Sequence, residues 1–360
     1  MRINSKVVLV FVLCALPLVG CNEMTMWKWP TSNNGEKYCA RGLELMEEGY
    51  NNAALAELTK AVECNEENTT ALTAIGDIYR KEGNYDLARI NYESACRTDR
   101  YAFRPHYNLG VTYQALARVS QSLDEMQQYI TCAVNVYLRA VAIKPENFNT
   151  HLNLGVCYYQ LGQPGLAEQQ IRHALTLNPN SRYANNNLAT ICESQGRLPE
   201  AIEAYKNSLE ADSEQPNTMM KLAKAYVSTG HIRAGLWTYH AVTKKAPKSS
   251  APWCQIGICY FRMKKLDDSL RAFQQSIRLN PEAHDAYRGF GVVCMYQYVK
   301  HLDRTDLRSK ALIAWEYSLK IKPDQPDLLK LLKRYSTDGS DSRTRTVKTS
   351  IGETKQISQR

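Results

Sequence analysis

No apolar stretch in the 360 residues is long enough to cross a bilayer: the longest, Val7 to Leu18, has 12 residues, against the roughly 20 that a spanning helix needs. A helical multi-pass membrane protein is thereby excluded. Glycine and proline, at 18 and 13 residues, fall far short of a collagen-like share. The chain also lacks a glycine-rich phosphate loop, a nucleophile elbow and a His-Glu-x-x-His helix, so familiar carriers of phosphoryl transfer, acyl transfer and zinc hydrolysis are missing. What it does have is a globular composition, 44% hydrophobic and 22% charged, with 45 basic against 36 acidic residues. That apolar share excludes a disordered chain, and the length suits two or three domains or one extended array.

The first residues read as an address. Arg2 and Lys6 precede the Val7 to Leu18 run, and Leu18-Val19-Gly20-Cys21 follows, the three-part pattern of a secretory signal. The tetrapeptide resembles a bacterial lipobox, which implies removal of residues 1–20 and a diacylglycerol on Cys21. An ordinary cleaved signal with an incidental cysteine is the alternative. Two or three acyl chains hold a protein on a membrane where one does not, so residues 21–34 are expected to be a lipid-anchored tether. Its Trp27 and Trp29 would sit at headgroup level or pack on the first helix. The implied location is the periplasmic face of a bacterial membrane, and Asn22, where an aspartate would favour inner-membrane retention, favours the outer one.

From Gly35 to Gln325 one grammar recurs, at the interval that separates Gly42 from Gly76 and Gly76 from Gly110: a helix with a small residue at its middle, a glycine turn, a second helix and often a proline. Eight copies fit, with eleven additional residues in the third (103–147) and eight in the eighth (284–325). The eighth position is Gly42, Gly76, Gly110, Gly155, Ala189, Ala223, Gly257 and Gly291. The twentieth is Ala54, Ala88, Ala133, Ala167, Ala201, Gly235, Ser269 and Ala311. One helical turn on stand Leu58, Tyr92, Tyr137, Ile171, Tyr205, Tyr239, Phe273 and Trp315. Two antiparallel helices approach closely only where small side chains meet, and a large one must fill the space beside the crossing. Pro145, Pro179, Pro247, Pro281 and Pro323 stand where five second helices should stop.

This pattern resembles the tetratricopeptide repeat family. The resemblance implies an all-α, right-handed α-solenoid of about eight helix-turn-helix repeats over 35–325. Residues 326–335, with Leu328, Leu329, Leu331 and Leu332 among lysines, look like the capping helix that a stacked array needs over its last apolar face. The segment from Ser336 to Arg360 holds ten Ser/Thr and no aromatic, a composition that cannot bury a core, and is expected to be a disordered polar tail. Eleven residues make about three helical turns, so the third repeat can lengthen its helices around Ala117 to Gln128 without rotating the packed face. Both insertions fall between the helices of a repeat and are expected to protrude from one edge, as binding elements or as longer hairpins without a role.

Setting aside Cys14 in the signal and Cys21 leaves nine cysteines. Cys157 and Cys259 share one repeat position and Cys192 and Cys294 another, which reads as small apolar filler; disulfides stay open. Cys254 and Cys259 do not have a zinc-ligand spacing. His106 and His151 share the fourth repeat position and read as packed or solvated rather than as a metal pair without a third ligand. No metal, cofactor or enzymatic activity is expected.

Charge is uneven along the array. Residues 35–99 hold 13 acidic and 7 basic residues, and residues 216–335 hold 9 and 21, a net +12. This is either a solvated lysine surface or a site for an acidic partner, an anionic polymer or lipid headgroups; end-to-end self-association through the acidic first repeats is a third reading. In tetratricopeptide proteins the first helix of each repeat lines a concave groove. On matching positions this implies partner contacts at Tyr107, Asn108, Asn153, Tyr159, Asn187, Lys221, Lys224, Phe261 and Arg262. The asparagines recur as Asn-Leu-Gly, Asn-Leu-Gly and Asn-Leu-Ala, and an amide both donates and accepts. The family's carboxylate-clamp pattern is not reproduced, so a chaperone-tail ligand is not implied. The expected function is a non-catalytic scaffold or assembly factor anchored to the bacterial envelope that grips peptides or helices of other proteins. The alternative is a substrate-recruiting subunit of a glycosyltransferase or envelope-polymer machinery with catalysis on another chain, because the short polar segment after the cap leaves no room for a domain. Nucleic acid is not an expected partner, since aromatics do not alternate with the basic residues as a stacking platform requires.

Overall fold

The computed structural model describes residues 32–336. The expected signal peptide, Cys21, nearly all of the tether and residues 337–360 of the expected tail lie outside them. Among the described residues every element is a helix. The first four hairpins are α1 (Ser32–Glu47) with α2 (Asn51–Cys64), α3 (Thr69–Lys81) with α4 (Tyr85–Thr98), α5 (Phe103–Val119) with α6 (Leu123–Ile143), and α7 (Phe148–Gln160) with α8 (Pro164–Leu177). The next four are α9 (Arg182–Ser194) with α10 (Leu198–Ala211), α11 (Pro216–Ser228) with α12 (Ile232–Lys245), α13 (Ala251–Arg262) with α14 (Leu266–Leu279), and α15 (His284–Lys300) with α16 (Thr305–Ile321). A single helix, α17 (Pro326–Ser336), follows. Each helix packs on the next in sequence, which is the all-α solenoid of eight hairpins and a cap that the period implies.

Local chemistry sets the boundaries. Asn68, Ser122, Asn147 and Ser181 accept a backbone N–H from the first turn of α3, α6, α7 and α9, satisfying donors that a helix start leaves free. The helices α6, α8, α12, α14 and α16 each end two residues before a proline. Between the two helices of a repeat the chain reverses through a left-handed residue: Gly49, Gly83, Gly162, Gly196 and Gly230 have φ between 71° and 86°. The same position in the seventh repeat is Lys264, at φ 60°.

The crossing residues meet as the sequence pattern demands. A Cβ added to Gly76 would lie 2.7 Å from the Tyr92 ring, and one on Gly291 would overlap the Trp315 ring at Nε1. Gly42 faces Leu58, Gly155 faces Ile171 and Gly257 faces Phe273 in the same way. The bulky partners Tyr92, Tyr137, Tyr205 and Phe273 are buried, each contributing roughly 1.5–3 kcal/mol of apolar burial.

In the third repeat α5 has 17 residues and α6 has 21, where α3 has 13 and α4 has 14. The extra residues therefore add about one turn to the first helix and two to the second, keeping the packed face in register. The lengthened stretch buries Ala117, Ile130 and Val134 and ends at a tip with Val119 and Leu123 exposed. The eighth repeat extends α15 and α16 to 17 residues each. At the end of the array Leu328 of α17 is buried, Tyr335 rests 6.3 Å from the Trp315 ring, and Arg308 donates to the Tyr335 carbonyl at 2.6 Å.

Candidate protein-binding groove

The first helices of successive repeats lie side by side: α1, α3, α5, α7 and α9 touch in order, as do α13 and α15. Side-chain hydrogen bonds link α9 to α11 and α11 to α13, and the groove residues named from the sequence belong to these first helices. Their environments differ along the array.

At the second and third repeats the face is tied together by Asp77, a buried carboxylate at the ninth position of α3. It accepts from the Tyr92 hydroxyl at 2.5 Å, from Arg104 at 2.5 Å and from the Asn108 amide at 2.7 Å. Three donors compensate its desolvation. Arg80, half-buried beside it, donates to the Tyr92 hydroxyl at 3.4 Å. The next node is aromatic. Tyr107 stacks on Phe103 with ring centroids 5.7 Å apart and lies 6.0 Å from the Tyr137 ring. The Asn153 amide donates to the hydroxyls of Tyr107 at 3.4 Å and Tyr137 at 3.3 Å. The Tyr137 hydroxyl donates to Gln114 at 2.8 Å, and the Gln114 amide points at Cys157 Sγ, 3.2 Å away. Burial pushes the Tyr107 phenol up and the Cys157 thiol up to about 12, so both stay neutral at physiological pH. Asn108 and Asn153 thus have amide hydrogens committed inside the protein, whereas Asn187 makes no side-chain hydrogen bond among the described residues.

Further along, Tyr159 packs on the core of the fourth and fifth repeats. Lys221 donates to Thr190 at 3.1 Å. Lys224 pairs with Glu193 at 3.5 Å, a carboxylate that also accepts from the Tyr205 hydroxyl at 2.8 Å. Glu168, Cys192 and Glu200 come together nearby, but both carboxylates are held by Arg172 and Arg197; this is an ion-pair network joining the fourth and fifth repeats. His106 and His151 are each hydrogen-bonded within their own surroundings, to the Ala102 carbonyl and to Gln170 and the Pro145 carbonyl. The nine cysteines among the described residues are free thiols.

The far end is open. Arg262 closes the end of α11 by donating to the Val227 carbonyl at 3.4 Å. Phe261 meets the Tyr296 ring edge-on at 5.5 Å and lines a cavity of about 420 Å³ between α13, α15 and α17. Its apolar wall is Ile258, Phe261, Val292, Leu328 and Leu331. The sixth position of α15, at the cavity's edge, is Gly289, where an added Cβ would overlap the Phe273 ring; the third to sixth repeats have Asn108, Asn153, Asn187 and Lys221 there. Asp77, Arg104, Gly289 and Tyr296 were not among the sequence-derived groove residues. Asp77 was visible as the only acid at the ninth position, and Gly289 as the only glycine at the sixth; Arg104 and Tyr296 needed the packed structure.

Stacked helix hairpins with one unfilled face define the class as a tetratricopeptide solenoid. Residues 40–236, more than half of the chain, match the family described as the cilia and flagella-associated protein 70 C-terminal domain, and residues 250–283 match the tetratricopeptide repeat. The chain belongs to this tetratricopeptide family. Mouse BBSome complex member BBS4 is 27% identical over 219 residues, which cover 51% of this chain and 42% of that protein. The chain spans about half the length of the BBS4 relatives it matches. Among solved structures, TTC0263 of Thermus thermophilus is 25% identical over 54% of this chain and 99% of that one, with a TM-score of 0.40. Pseudomonas aeruginosa PilF is 19% identical over 61% and 96%, with a TM-score of 0.48.

Proposed function

We propose that this protein is a non-catalytic scaffold or assembly factor that grips extended or helical segments of partner proteins along the face made by its first helices. The observation that carries this reading is the continuity of that face: first helices abut one another, and their outward residues are aromatic, amide and basic side chains rather than a second packed layer. A rigid, preformed groove limits the ordering cost of binding. The Tyr159 hydroxyl and the Asn187 amide, which make no side-chain hydrogen bond among the described residues, are left to meet the backbone of a bound segment. The Arg2 to Cys21 pattern supports a lipid anchor at Cys21 that would hold the scaffold on a bacterial membrane, on its periplasmic face.

Two experiments test these parts separately. Photocrosslinking groups at Asn187 and Tyr159 should capture partners in cells, while the same groups at Leu166 and Trp237, exposed on second helices, should not; equal capture from both faces would overturn the groove assignment. Metabolic labelling with an alkyne fatty acid should mark the chain and be lost in Cys21→Ser. Unlabelled wild-type chain would remove the anchor.

A further inference from the structure

We propose that the seventh and eighth repeats with the cap form a subsite for an acidic linear segment of a partner protein, one large apolar residue of which enters the cavity between α13, α15 and α17 while its carboxylates meet Lys264 and Lys300. This rests on the first-helix face being the binding surface, and narrows it to one end and one ligand chemistry.

The first observation is backbone strain. At the turn position where five repeats have glycine, the seventh has Lys264 in the left-handed region, a conformation that a side chain with a Cβ resists. Folding alone would favour glycine there. Strained residues persist where the side chain has a task, and here the strain delivers an ammonium. Lys264 Nζ lies 5.0 Å from the centroid of the Tyr296 ring and 3.3 Å from its hydroxyl. Lys300 approaches the same ring to 4.8 Å. Two cations share one aromatic side chain, and neither forms an ion pair among the described residues. Like charges held together without a counter-ion make a favourable place for an anion.

The second observation is the adjoining cavity. Phe261 belongs to both features, contacting Tyr296 on one side and lining the cavity on the other. The acids at the cavity mouth are already paired, Asp285 with Arg288 at 3.1 Å and Asp327 with Lys330 at 3.3 Å, so they do not cancel the cations beside Tyr296. The basic excess of residues 216–335, 21 against 9, extends the attraction over the surrounding surface. The apolar hollow beside the cations, with Ile258, Phe261, Val292, Leu328 and Leu331 on its wall, can take one side chain of a peptide and has no counterpart in a lipid headgroup, which favours a peptide.

The test uses the full chain and three fluorescent peptides: a phenylalanine flanked by glutamates, the same peptide with serine for phenylalanine, and the same peptide with lysines for glutamates. The acidic phenylalanine peptide should bind, the serine analogue about 10- to 30-fold more weakly from lost apolar burial, and the lysine analogue not at all. Lys264→Gly should leave the melting temperature unchanged or higher while weakening binding several-fold, a split that a merely structural role would not give. Lys300→Gln should act in the same direction, and Val292→Phe, which fills the cavity, should erase the preference for phenylalanine over serine. The proposal fails if the lysine peptide binds as well, if both lysine variants bind like wild type, or if phosphatidylglycerol vesicles are captured through Lys264 and Lys300 while the peptides are not. Peptide binding that survives these variants but falls when Asn108, Asn153 and Asn187 are changed to alanine would overturn the subsite and leave the groove standing. Equal photocrosslinking from both faces would overturn the groove itself.

Discussion

Replacing Gly110 with alanine places a methyl group where Tyr137 stands. A Cβ at that position would be 2.5 Å from Tyr137 Cε1 and 2.6 Å from Cζ, so the ring has to move. It is fully buried, and its hydroxyl is spent on Gln114 at 2.8 Å and Asn153 at 3.3 Å. Overpacking costs about 1–3 kcal/mol, and separating the hydroxyl from buried Gln114 costs a further ~1–3 kcal/mol. Alanine returns about 1 kcal/mol of helix propensity, leaving a net destabilisation of roughly 3 kcal/mol. Gly165 is the matched control: it lies in the first turn of α8 with nothing within 4 Å of an added Cβ. Gly165→Ala should therefore be neutral or stabilise by up to ~1 kcal/mol. Urea unfolding followed by far-ultraviolet circular dichroism compares the two, and hydrogen exchange should localise the Gly110→Ala loss to the third repeat and its neighbours, because an array is stabilised repeat by repeat. If both substitutions shift the midpoint in the same direction, close approach at the crossing is not what fixes the hairpin.

Asp77→Ala removes the acceptor shared by Tyr92, Arg104 and Asn108 and leaves the buried Tyr92 O–H without an acceptor, so it should cost about 2–3 kcal/mol in urea unfolding; a loss indistinguishable from that of an exposed acid would show that the node holds nothing together. Alkaline pH should also destabilise the fold. Burial pushes the thiols of Cys96, Cys157 and Cys294 up from 9.0 to about 12. Above pH 9.0 the unfolded state therefore loses protons that the folded state retains, and stability falls as pH rises from there towards about 12. A melting temperature constant up to pH 12 would contradict this. Tyr296 shifts the other way, held low by hydrogen bonds from Lys300 and Lys264, whereas burial pushes Tyr137, Tyr205 and Tyr239 up. In a spectrophotometric titration Tyr296→Phe should delete the earliest phenolate step, and an unchanged first step would place the two lysines elsewhere.

The repeating part of this molecule was legible because a solenoid makes the same demand of every hairpin it stacks. Gly76 with Tyr92, and Gly291 with Trp315, are the eighth and twenty-fourth positions of their repeats, and each pair touches. The eleven additional residues of the third repeat were readable as helical turns, since only whole turns keep a packed stripe in register. The groove was legible as a set of positions but not as chemistry. Asn108 and Asn153 occupy the same slot in adjacent repeats, yet one donates to a carboxylate and the other to two phenols. Those partners come from the neighbouring helix and hairpin, 16 to 46 residues away in sequence, so no pattern within a single repeat announces them. The pairing of Lys264 with Tyr296, 32 residues apart, was hidden for the same reason.

A repeat protein separates its structural positions from its functional ones by how they tolerate variation. The crossing residues stay small or large throughout because every hairpin needs the same fit, and they say little about what the molecule binds. Departures from the period that a better-folding residue could replace carry more information. Glycine would relax the seventh turn, yet Lys264 is there; Gly289 is different, because a Cβ at that point would overlap the Phe273 ring and packing alone accounts for it. Lys264 reaches the Tyr296 ring, and Phe261 links that ring to the apolar hollow between α13, α15 and α17. The first half of the groove shows the opposite design, since Asp77 and Tyr137 consume its polar groups internally. On the proposed reading the two halves divide the work: the internally bonded second to fourth repeats hold the first-helix face rigid, and the seventh and eighth repeats would select what lies on it.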